Sequence, residues 1–241
     1  MSVRGIYGQT LRTYWRQAGF LMLLGAVVFI PLSLLDALAD KLEEISSSEV
    51  TDLEMAALVA GLSAQGATSL IGELFYSGTV AVTLAEEDPQ KRSLREVAGQ
   101  LSWGPLIAVD LIYAAGVSVG LDVFVVPGIL LFTAFALAAP VVELEGATVT
   151  GAFMRSWALV RGHFWQVMAV LVPITLAGTV LAAVMIDALP PILGSHFLRD
   201  WIGEAASSIA LSPFYAVAAV LITLQLSGRA TDTVAQRKAL R

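Results

Sequence analysis

Cysteine is absent from this 241-residue chain. That excludes disulfide stapling, thiolate-bound metals and thiol catalysis. Charge is scarce as well. Lys+Arg number 14 and Asp+Glu 20, only 14% of residues. An ordinary soluble domain carries about 25%, so a soluble single-domain enzyme is argued against. Histidine occurs twice. His163 and His196 fall on opposite sides of the membrane topology derived below, so they cannot share a metal. There is no Gly-x4-Gly-Lys-Ser/Thr loop, no His-Glu-x-x-His and no nucleophile elbow. The expectation is a protein that is not an enzyme, with no catalytic residue, metal or cofactor, and no nucleic acid as partner.

Apolar residues are what the chain has in abundance. They make up 57% of it, which excludes disorder and points to a polytopic membrane protein. A membrane helix needs about 20 largely apolar residues. Runs poor in charge predict six spans near 18–37, 65–85, 103–121, 123–142, 164–186 and 206–227. Residues 53–64 read as an extramembrane extension of the second span or a short interfacial helix. Ala37-Leu38-Ala39 has the look of a signal-peptidase site, but the long segment before the first apolar run favours a retained span.

The basic residues orient these spans. With both termini cytoplasmic, twelve of the 14 Lys and Arg fall on the inner side, leaving Lys41 and Arg199 outside. Acidic residues crowd the first outer loop, from Asp36 to Glu54. Trp15, Trp103, Trp157 and Trp165 sit at predicted inner ends of spans, where amphipathic rings favour the headgroup layer.

A unit recurs. Tyr7, Leu11, Tyr14 and Ala18 precede span 1 at helical spacing, with Arg12 and Arg16 off the stripe. Leu94, Val97, Ala98 and Leu101 precede span 3, with Arg95 opposite. Val149, Phe153, Trp157, Val160 and Phe164 precede span 5, with Arg155 and Arg161 off the stripe. Apolar residues three and four apart share one helix face. The fold class expected is therefore an all-α membrane bundle of six spans with three basic amphipathic interfacial helices. It forms a single domain over 1–241, with repeat units of about 4–85, 91–142 and 147–227 and a cytoplasmic tail at 228–241. Arg12, Arg16, Arg95, Arg155 and Arg161 are lipid-headgroup candidates, each worth about 1 kcal/mol near an anionic surface.

Several short motifs occur in a recognisable order. They are Ser69-Leu70-Ile71-Gly72, Ser93-Leu94-Arg95, Val125-Val126-Pro127-Gly128-Ile129, and Arg155-Ser156-Trp157-x-Leu159-Val160-Arg161-Gly162-x-Phe164-Trp165. Together, over about residues 5–225, they resemble the YciC-like family of bacterial inner-membrane proteins. They are also similar to the membrane region attached to some glycerophosphodiester phosphodiesterases. The resemblance implies a six-span helical domain without an established reaction, in the inner membrane. In the phosphodiesterase relatives catalysis belongs to a separate soluble barrel, for which this chain has no room. The family pattern implies a neutral polar residue after the Ile-Gly of span 2, where this chain carries Glu73.

Glu73 and Asp110 are the acids inside predicted spans. A charge at mid-bilayer costs about 2.5–3.5 kcal/mol on insertion scales, and such residues face the bundle interior or water. They are candidates for one polar cavity that binds a cation, a proton or a substrate amine. Gly116 and Gly120 form a Gly-x3-Gly pair suited to helix contact. Pro127 and Pro173 are the expected helix kinks, since apolar sequence continues on both sides of each. Two functions follow. One is a membrane protein that organises anionic lipids or partners, a second copy of itself or another membrane protein, through its basic helices. The other is a small transporter or channel built on Glu73 and Asp110.

Overall fold

The computed structural model describes residues 2–46, 72–85, 94–188 and 196–228. The described residues are helical apart from short links, without strands. Helix α1 spans Val3–Ser46, and α2 covers 72–84. The short α3, Leu94–Gln100, precedes α4, Trp103–Val123. Then come α5, Val125–Phe135, and α6, Ala138–Glu145. The chain continues through α7, Val149–Val160, α8, Phe164–Ala188, and α9, His196–Leu226. Five segments are long and apolar enough to cross a membrane: Val3–Leu35, Trp103–Leu121, Val125–Glu145, Phe164–Asp187 and Phe197–Leu226. The second predicted span falls partly outside the described residues, as do residues 53–64 and the tail from 229.

Two expectations about elements change. The basic stretch before span 1 is not a separate helix: α1 runs unbroken from Val3 to Ser46. Nothing in Thr10–Phe20 breaks a helix, since Gly19 costs only about 1 kcal/mol. The second and third basic stretches do form separate helices, α3 and α7. The fourth span is two pieces, α5 and α6, joined through Ala136 and Leu137.

Helix α9 is the axis of the bundle. Tyr215 to Val220 are all buried, as expected of a helix covered on every side. It packs along α1 and α8, while Ala216, Val217 and Val220 meet Tyr76, Val80 and Ala81 of α2. A Cβ on Gly78 of α2 would come within 2.5 Å of Leu106 Cδ1 on α4, so α2 sits tight against that neighbour. The opposite faces of α1, α4 and α8 expose Leu23, Val27, Ile107, Leu111, Leu176 and Val180. In water these would be a liability; in a bilayer they meet acyl chains.

Helices α4 and α5 make an antiparallel hairpin with Phe124 as the single residue between them. The close contact is between Gly120 and Gly128. A Cβ on Gly120 would lie 3.0 Å from Gly128 Cα, whereas one on Gly116 would meet nothing within 4 Å. The predicted Gly116–Gly120 pair is thus corrected to Gly120 with Gly128: Gly116 lies on the exposed side of α4.

The prolines divide. Pro127 lies in the first turn of α5, after the extended Phe124. It kinks nothing there, because first-turn N–H groups have no helical partner to lose. Pro173 lies well inside α8 and cannot bond the Ala169 carbonyl. Tyr7 of α1 supplies that bond instead: its hydroxyl donates to Ala169 O at 3.0 Å and to Val170 O at 3.1 Å. Pro213 lies inside α9 and frees the Ile209 carbonyl, whereas Tyr14 Oη donates to the next one, Ala210 O, at 3.3 Å.

Candidate functional site

The described residues hold two polar regions of interest: one face of basic and aromatic side chains, and one interior cluster.

The basic face is built around α7. Gly146 ends α6 with φ 63°, a left-handed value that glycine adopts without strain. Thr148 then caps α7 by accepting from Gly151 N–H at 3.3 Å. Ala152, Ser156, Leu159 and Val160 form the buried face of α7, and Ser156 Oγ donates to Ala134 O of α5 at 2.8 Å. The predicted stripe through Phe153 and Trp157 is therefore offset from the buried face. Trp157 and Met154 point outward, as a membrane-facing side requires. Arg161 is exposed beside them, and Trp165 is 72% exposed at the start of α8. Arg155 is tied down: its Nε and Nη2 donate to the two carboxylate oxygens of Glu145 at 3.0 and 3.3 Å.

The other predicted headgroup residues lie on exposed surface too. Arg12 and Arg16 flank Trp15 on α1, and Arg95 is on the exposed side of α3. The α3 stripe is as predicted, with Val97 and Leu101 buried and Leu94 and Ala98 half-buried. Trp103 Nε1 donates to Ala98 O at 2.8 Å, linking α3 to α4. His163 is half-buried between α7 and α8. The side chain of His196 lies outside the described residues.

The interior cluster gathers where α2, α4 and α9 meet. Asp110 is 2% exposed, and its Oδ1 accepts from Phe75 N–H at 3.1 Å. Glu73, two residues before Phe75, is half-buried as a residue, but its Oε2 is shut off from solvent and bonded to nothing. The Asp110 bond to Phe75, two residues from Glu73, puts the two acids in one neighbourhood of α2 and α4. Tyr113 of α4 and Tyr215 of α9 stand beside them. Tyr113 Oη donates to Phe132 O at 3.4 Å. Tyr215 is 1% exposed and its Oη, although near Tyr113, makes no hydrogen bond of acceptable geometry. Glu204 of α9 adds a third carboxylate acting on Glu73.

Tyr113, Tyr215 and Glu204 were not singled out by sequence. Tyr113 carried a usable signal: it lies three residues after Asp110, hence on the same helix face. Glu204 fell just before the predicted start of the last span, at 206. Tyr215 had no local signal.

Comparison with known proteins adds no assignment: no family model, curated protein or solved structure matches this chain.

Proposed function

We propose that this integral membrane protein is not an enzyme and that it organises anionic lipids or a membrane partner through its basic helices. In this reading it resides in a bacterial inner membrane with both termini in the cytoplasm, in keeping with the YciC-like resemblance and the one-sided basic residues. The observation that carries it is α7. It is a separate helix docked by its small-residue face, with Met154, Trp157 and Arg161 turned outward. Aromatic rings with guanidinium groups match the headgroup layer of an anionic membrane. The test is mass spectrometry of the protein extracted with its lipids. Arg155→Glu combined with Arg161→Glu is expected to cut bound phosphatidylglycerol and cardiolipin at least tenfold, from about 1 kcal/mol for each basic residue lost. Unchanged lipid retention would end this reading.

A second reading, a small transporter or channel, is favoured by the buried Asp110 bonded to the backbone two residues from Glu73, whose Oε2 is shut off from solvent. Its test is ion flux into proteoliposomes with Glu73→Gln and Asp110→Asn, both of which are expected to abolish it.

A further inference from the structure

Successive residues of an α-helix turn by about 100°. On α7 that places Met154, Ala158 and Arg161 along one outward line, opposite the buried face, and all three are exposed. Trp157 flanks the line on one side and Arg155 on the other. Trp165, one turn beyond Arg161, is exposed at the start of α8. Arg155 and Arg161 are six residues apart, about 9 Å of helix rise. Ala158 stands between them with only a methyl group, and long arginine stems can lean over it from either side.

The two arginines differ in what already holds them. Arg155 Nε and Nη2 donate to Glu145 Oε2 and Oε1 at 3.0 and 3.3 Å. This is the two-pronged geometry in which a guanidinium takes either a carboxylate or a phosphate. Glu145 is the last residue of α6, and the turn at Gly146 carries the chain into α7. Its side chain is 17% exposed and that of Arg155 43%. The carboxylate is therefore mostly covered by protein, while the guanidinium lies at the surface, where ion pairs are weak. Arg161 carries no such tie among the described residues.

We propose that the outward face of α7 is a site for the phosphate of an anionic phospholipid, with Arg161 as its standing anchor. Glu145 holds Arg155, the second anchor, in the phosphate's place. This rests on the lipid reading of α7 and names the anchor and its internal competitor. Trp157 and Trp165 sit beside the headgroup, where amphipathic rings are favoured. The lipid gains the second arginine only by displacing Glu145, so the site binds more weakly than two free arginines would allow.

The test titrates the purified full chain in detergent with phosphatidylglycerol, and with phosphatidylcholine as the neutral probe. Native mass spectrometry counts the bound lipid. Arg161→Gln is expected to weaken phosphatidylglycerol binding about fivefold, the worth of one basic residue near an anionic surface. Glu145→Gln, which frees Arg155, is expected to strengthen it by about as much. Arg155→Gln is expected to weaken it less than Arg161→Gln does. In the double variant Glu145→Gln with Arg155→Gln the gain is expected to vanish, because it acts through Arg155. A pair that only braced α7 would shift binding the same way in both single variants, since each breaks it; that result overturns the competition. So does the absence of a gain in Glu145→Gln, or a gain that persists in the double variant as a plain effect of lost negative charge. Unchanged binding in Arg161→Gln overturns the anchor. The broader lipid reading falls only if the double charge reversal also leaves lipid retention unchanged.

Discussion

The tyrosines of α1 and those of the interior cluster are the same residue type put to opposite uses. Tyr7 and Tyr14 each reach a backbone carbonyl beside a proline, in α8 and α9 respectively. Tyr76 likewise donates to Leu21 O at 2.7 Å. Each hydroxyl thereby places its own proton on a carbonyl, and Tyr7 also satisfies the Ala169 carbonyl that Pro173 leaves open, which would be costly in a bilayer. Tyr215 is buried like Tyr14 and Tyr76 and more deeply than Tyr7, yet its hydroxyl makes no hydrogen bond of good geometry. Along the α1 seam polarity repairs the fold. In the cluster it weighs against stability, and buried polar atoms left unsatisfied call for an explanation beyond packing.

That contrast can be broken at its common frame or sharpened at either end. The largest effect is expected from Gly128→Val. A Cβ at Gly128 would lie 2.7 Å from the Leu121 backbone nitrogen, so α4 and α5 must move apart. A loss of about 2–3 kcal/mol is expected in SDS-unfolding titrations, since backbone cannot give way as a side chain does. Next comes Tyr7→Phe, which strands the carbonyl freed by Pro173 and is expected to cost about 1 kcal/mol. The same change in a Pro173→Ala background, where the helix bond is restored, is expected to cost near nothing. The double-mutant cycle measures that coupling. Tyr215→Phe is expected to have the opposite sign. Deleting a buried hydroxyl that makes no hydrogen bond of good geometry should leave stability unchanged or raise it by up to about 1 kcal/mol. A loss as large as that of Tyr7→Phe would erase the distinction. Smallest is Arg155→Ala. Its pair with Glu145 leaves the arginine side chain 43% exposed, and exposed ion pairs contribute about 0.2–1 kcal/mol, less in salt.

Much of this arrangement was legible in the residues. The absence of charge between Gly162 and Ile186 predicts a long apolar helix, and α8 is that helix. Asp122 between two apolar runs marks a tight connection, and α4 gives way to α5 close by, at Phe124. Glu73 and Asp110 stood out because a carboxylate in an apolar run has few reasons to be there. Other features are properties of pairs of helices, and no single segment encodes them. Pro127 and Pro173 look alike in sequence. Only the extended backbone at Phe124 puts the first in a helix start and leaves the second inside a helix. The unbroken α1 was missed because its basic stripe resembles those before spans 3 and 5, while the break itself depends on Ser102 and on the Arg161–His163 turn. Tyr215 was invisible for the same reason: a tyrosine among alanines and valines looks like any core residue until its neighbours arrive from α2 and α4.

The one-residue link at Phe124 bears on how the protein is made. Val123, Phe124, Val125 and Val126 are exposed at the hairpin tip, yet all are apolar. During biogenesis this pair of helices has almost no hydrophilic cargo to carry across the bilayer: Asp122 is the one charged residue between Asp110 and Glu143. The two helices are therefore suited to enter the lipid together, as a closed unit already held by Gly120 against Gly128. The insertion machinery has to move only their tip.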